Sequence, residues 1–216
     1  MTTGISKQRS AGLRRLKDAS EGIALTEFAL ALPVLLTLIL GGLETANFAL
    51  AHLRVSQIAM TAADNAGRVD TAIDEANIYE VFSGAELVGE AIDFELNGRL
   101  VLSSLEDNGR TGSTAGQMIN WQRCMGRLNV APAYGTEGKG RTNSSLATGM
   151  GAAGNRITSQ PGTAVMFVEV TYNYQPLVAA RILGTRQIRY ESAFNVRERT
   201  NQDITNTQNL AVNRCT

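Results

Sequence analysis

Hydrophobic positions follow three different spacings along the chain. Between Ile23 and Leu43 nearly every residue is apolar, with Thr26, Glu27 and Thr37 the polar exceptions. At about 1.5 Å per helical residue, such a run reaches across a hydrocarbon core of roughly 30 Å. Beyond it the spacing becomes amphipathic. Ala46, Ala49, Leu50, Leu53, Ile58, Ala62 and Ala63 approximate one helical face, with Arg54, Gln57, Asp64 and Arg68 mostly elsewhere. One helix from Ile23 to about Asp70 is therefore predicted. Residues 72–92 carry Ile73, Ile78, Phe82, Leu87 and Ile92 and predict one or two more helical pieces, with Gly84 as a break.

After that the period falls to two. Strands are predicted at Arg99–Leu105, Gln117–Cys124, Ala164–Tyr174 and Gln187–Arg197, the last alternating Ile188, Tyr190, Phe194 and Val196 against Arg189, Glu191 and Arg197. Asp107-Asn108-Gly109 is a turn signal after the first of them. A Gly/Ser-rich stretch at 128–161 reads as a long mobile loop, and Leu177–Leu183 as a short helix after Pro176. The polar tail from Thr200 is loosely held unless Cys215 is bridged. Helix first and strands afterwards define an α+β class: a long N-terminal helix, half transmembrane and half amphipathic, packed on an antiparallel sheet of about four strands. Strand order does not follow from spacing.

Charge adds topology. Twenty basic and twenty acidic residues cancel, so no general attraction to nucleic acid is expected. The start is locally basic, with Lys7, Arg9, Arg14, Arg15 and Lys17 against Asp18 and Glu21. Such a flank stays in the cytoplasm. The expected organisation is a cytoplasmic leader at 1–22, a transmembrane segment at 23–43, an amphipathic extension at 44–70 and a periplasmic α+β domain at 71–216. Cys124 and Cys215 then fall in an oxidising compartment, where a disulfide is expected; two unrelated buried thiols are the alternative. A bridge there would close a loop worth roughly 4–5 kcal/mol in the chain-entropy model, and less in practice.

Three readings compete for the apolar segment. A secretory signal peptide should end near a small-residue cleavage site, but the A-x-A past the run, Ala49-Leu50-Ala51, lies well downstream. An uncleaved anchor explains length and charge but not Glu27, a carboxylate that costs roughly 2.5 kcal/mol or more inside a membrane segment. A leader cut between Gly22 and Ile23 explains all of it. Gly22, then Glu27 and Phe28, then Ala-Leu-Ala-Leu-Pro-Val-Leu-Leu around Pro33, resembles a type IV prepilin. It is similar to the TadE-like pseudopilins of tight-adherence pilus systems over about residues 20–50. The resemblance implies removal of the leader by a prepilin-type leader peptidase, with Gly22 and Ile23 as the cut site and Glu27 with Phe28 as the recognition and assembly pair. It implies other pilin-like subunits, the pilus assembly machinery and inner-membrane lipid as partners. It also implies a minor subunit, since the major pilins of these systems are very short. Cutting would free an ammonium at Ile23 one turn before Glu27. A first-turn carboxylate is favoured by the helix dipole, typically by about 0.3–1 kcal/mol, and can pair with that ammonium or a neighbour's.

Other chemistry is poorly supported. Gly149-Met150-Gly151-Ala152-Ala153-Gly154 matches G-x-G-x-x-G, but a polar run precedes it instead of a strand and no acid lies about twenty residues on. Gly138-Lys139 lacks the rest of a phosphate-binding loop. His52 is the single histidine, expected on a helix face, and neither a metal site nor a triad is built from it. No catalytic residue, metal, cofactor or small-molecule substrate is expected. The competing class is a membrane-anchored or secreted periplasmic enzyme or binding module.

Overall fold

The computed structural model describes residues 21–178, 184 and 186–215. The leader up to residue 20 and most of the Leu177–Leu183 helix lie outside the described residues. Helix α1 spans Glu21–Arg68, α2 spans Glu75–Gly89 and α3 spans Phe94–Asn97; strands β1 to β4 span Gly98–Asp107, Gln117–Met125, Ala164–Asn173 and Gln187–Asn195. The architecture is α+β. The chain divides into two compact units, the first ending at Ala46 and the second running from Asn47 to Thr216.

The first unit is a stretch of α1. It contains Pro33, which the helix runs through. Its three hydroxyls are satisfied inside the helix: Thr26, Thr37 and Thr45 donate to the carbonyls of Ile23, Pro33 and Gly41 at 2.7–2.8 Å. Internal satisfaction is what a lipid environment demands of polar groups.

In the second unit α1 buries Ala51, Val55, Ile58, Ala59, Ala62, Ala63 and Ala66. Small residues along this stripe let the helix backbone approach the sheet closely: at Gly67 an added Cβ would lie 3.3 Å from the carbonyl oxygen of Asn195. The predicted packed face is corrected here, because Ala46, Ala49, Leu50 and Leu53 are exposed. Alanine spacing, not the larger leucines, selects the buried stripe. A second correction concerns Gly84, which sits inside α2. The steric demand for glycine lies at Gly89, where a Cβ would stand 2.5 Å from that of Phe94. Asp74 caps α2, accepting from the Ala76 N–H while the Asn77 side chain accepts from the Asp74 N–H.

The sheet runs β2-β1-β3-β4 with every pair antiparallel. Central β1 and β3 are buried on both faces. Leu100, Leu102, Met166, Val168, Val170 and Tyr172 meet the helices; Leu105, Ile119, Val165 and Phe167 meet the opposite layer. That layer is the 128–161 stretch, which forms no named helix or strand and packs a few side chains against the sheet. Leu146 and Met150 are buried in it, and Met150 bridges Ile157 through backbone hydrogen bonds of 3.0 and 2.7 Å. Low apolar content concealed a few well-placed anchors.

The tail is held at several points. Trp121 Nε1 donates to the Gln202 carbonyl at 2.9 Å, the Tyr79 hydroxyl to that of Ala211 at 2.8 Å, and Cys124 N–H to that of Asn213 at 2.8 Å. A disulfide joins Cys124 and Cys215.

Candidate functional site

The residues singled out at the start of the chain lie on the first turns of α1. In the helix, Glu27 stands one turn after Ile23, about 6 Å further along the axis. Between them the Thr26 hydroxyl donates to the Ile23 carbonyl at 2.8 Å. A Cβ added at Gly22 would meet nothing within 4 Å, so the Gly22–Ile23 bond has no side-chain cover. Ile23 and Phe28 are 62% and 63% exposed. So are most of the large apolar side chains that follow, from Leu30 to Leu43. Apolar area left in water costs about 25 cal/mol per Å², so a helix with this surface requires lipid or other apolar helices around it. The geometry thus brings an uncovered backbone position at Gly22, the carboxylate of Glu27 and an apolar cylinder together at one end of one helix.

Further along α1, Leu50 and Leu53 are exposed at 54% and 60%, and Met60, 47% exposed, lies beside Phe194 at the end of β4. Helical spacing puts these three on one face. The periodicity groups Leu50 and Leu53 with Ile58, Ala62 and Ala63 on one face, and the structure separates the first two, exposed, from the last three, buried. The signal available was the parallel row of alanines, better suited to close packing.

The other candidates resolve into structure. His52 Nδ1 lies 3.3 Å from the Tyr190 hydroxyl and packs edge-on against Phe48 and Tyr190. Gly149 takes φ +78° where a Cβ would strike the Ile157 carbonyl, so the glycine-rich run serves a close backbone approach. Among the described residues no group of three or more His, Cys, Asp or Glu is arranged to hold a metal ion.

Electrostatics in the second unit are concentrated below the surface. Arg123 is buried and grips Glu75 Oε1 through Nε at 2.8 Å and Nη2 at 2.6 Å, with Nη1 on Glu137 at 2.9 Å. Three groups converge on the Asp74 carboxylate: the N–H of Thr207, that of Ala76 and the Thr205 hydroxyl. They hold it well below the usual range, at about 2. Burial pushes Glu169 and Glu106 the other way, only partly countered by the Ala133 N–H and Arg189 in one case and Ser104 in the other.

Fold and site together define a class: an α+β domain carried on a helix long and apolar enough, by length and composition, to cross a membrane. Residues 22–64 match the family model described as TadE-like protein. That match covers the apolar segment, Gly22, Glu27 and Phe28, and extends onto the helical part of the second unit. No curated protein and no solved structure matches the chain.

Proposed function

We propose that this chain is a minor pseudopilin that takes part in assembling a tight-adherence type IV pilus. In this reading the leader lies in the cytoplasm and residues 23–43 span the inner membrane. A prepilin-type leader peptidase cuts after Gly22, and the α+β domain works in the periplasm as a non-enzymatic interaction module. The observation that carries it is Glu27, the one carboxylate in the apolar run from Ile23 to Leu43, one turn from the amine that cleavage would release. The TadE-like match over the same residues supports it, and so do the exposed Leu50 and Leu53, which offer neighbouring helices an apolar surface outside lipid.

The pairing has a definite chemistry. An ammonium at Ile23 and a carboxylate at Glu27 neutralise each other within one chain or between adjacent chains, lowering the cost of a charge at membrane depth. Between chains the pair fixes the axial register of two helices that are otherwise free to slide. N-terminal sequencing of the protein from its own membranes tests the reading. A start at Ile23 is expected; an uncut chain or a start at His52 would refute it.

A further inference from the structure

The two edges of the sheet are treated differently. On the outer side of β2, Ile119 donates to the Lys139 carbonyl at 2.9 Å and accepts from Gly138 at 2.8 Å; the Gln122 N–H meets the Glu137 carboxylate, and the Cys124 N–H the Asn213 carbonyl. That edge is closed. On β4, Val196 donates to Ala164 and Arg186 accepts from Tyr174, so in this antiparallel ladder the even-numbered residues face β3. The backbone groups of Arg189, Glu191 and Ala193 therefore point outward, and among the described residues none has a backbone partner. An open edge is a template for another strand.

Alongside it runs a groove of about 320 Å³ whose walls include Met60, Asp64 and Arg68 of α1 with Phe194 and Arg197. From the sheet it touches Phe194 near the end of β4 and Arg197 two residues beyond the strand, so it lies at the C-terminal end of the free edge, where a strand added along β4 would pass. Arg68 and Arg197 share a single carboxylate, that of Asp64, at 2.6 and 3.6 Å, and both guanidinium heads are largely in water. The groove thus combines two apolar side chains, Met60 and Phe194, with an excess positive charge.

We propose that β4 accepts an extended strand from a different protein, one with apolar side chains where it meets Met60 and Phe194 and acidic ones where it passes Arg68 and Arg197. Main-chain hydrogen bonds to the odd-numbered residues give affinity and the groove gives selectivity. A second copy of this chain fits poorly. Antiparallel pairing of two β4 strands centred on their open edge would set Glu191 directly opposite Glu191, which is destabilising. In-register parallel pairing would set Arg189 beside Arg189 and Glu191 beside Glu191, a destabilising arrangement.

The test uses the full chain in detergent micelles, with amide exchange read by NMR and two synthetic octapeptides as probes, both with threonine at every second position; the four positions between, which share one face of an added strand, hold two valines and two glutamates in one peptide and two valines and two lysines in the other. The glutamate peptide is expected to slow exchange at Arg189, Glu191 and Ala193 by about tenfold or more while leaving Ile119 unchanged, and the lysine peptide to do much less. Ala193→Pro removes one outward N–H that the fold does not use and should abolish the slowing. Should that variant fold poorly, Arg197→Glu is expected to erase the preference for the glutamate peptide. No slowing, equal slowing by both peptides, an unaltered preference in Arg197→Glu, or slowing that appears with protein concentration alone overturns the proposal. Glu27→Gln leaves the expected result unchanged, so failure here is distinct from failure of the pilus reading.

Discussion

The apolar helix up to Ala46 and the domain from Asn47 onward solve opposite problems. The first exposes its hydrophobic side chains and satisfies its few hydroxyls from its own backbone; its order comes from helix propensity and from whatever surrounds it. The second buries Ile58, Phe94, Leu102, Phe167 and Tyr172 completely or nearly so, and fastens its last residues by a disulfide. Substitutions should therefore act on association in the first unit and on folding in the second. Trp121, the single tryptophan and 2% exposed, reports unfolding of the second unit alone.

The sharpest break is expected at Glu75. Glu75→Ala strips a buried guanidinium of its best partner, and because removing one member of such a pair leaves an uncompensated charge, a loss of about 3–5 kcal/mol is expected in urea unfolding. Glu137 on Arg123 Nη1 should bring the result toward the lower end. Next, Cys215→Ser frees the tail and should cost about 2–4 kcal/mol, less than the loop length suggests because Gln202, Ala211 and Asn213 remain hydrogen-bonded. Both effects should be absent from any measure of membrane insertion.

A smaller effect concerns acid. Asp74 has a folded pKa of about 2, below its unfolded value of about 4. Its contribution is present above the unfolded value and is lost as pH falls through that window toward 2. Glu106 and Glu169 are raised by burial, so they weaken the fold at neutral pH and relieve it as they protonate. Stability should thus rise on mild acidification and then decline; Glu169→Gln should flatten the rise and Asp74→Asn the decline, both read by urea midpoints across pH.

The smallest folding effect and the clearest separation come from Glu27→Gln. The urea midpoint of the second unit should not move, while pilus assembly is impaired. A shifted midpoint, or unimpaired assembly, would show that the contrast between the two units is drawn in the wrong place.

How much was legible in the sequence varies with the range of the interaction involved. All four strands appear within two residues of their predicted ends, because period-two alternation and β-branched runs such as Val165–Val170 are local signals. The helix from Glu21 to Arg68 is legible for the same reason, as are Gly22, Glu27 and Phe28, whose meaning lies in spacing along one helix. The packed face of that helix was not. Leu50 and Ala51 are neighbours in sequence, and only the proximity of the sheet shows that the smaller one goes inward. The anchoring of the 128–161 loop was not legible either, since two side chains, Leu146 and Met150, hold a segment whose composition otherwise resembles a linker.

The chain's own order of residues determined the membrane-length helix, the lone acid on it, the α+β class and the number of strands, because each depends on periodicity or on charge within a few turns. Tertiary structure alone decided the strand order β2-β1-β3-β4, the burial of Arg123 with Glu75, and which edge stays open. Those outcomes depend on segments far apart in sequence, such as Lys139 and Asn213 reaching the outer side of β2, and no local pattern encodes which distant backbone will fill a given hydrogen bond.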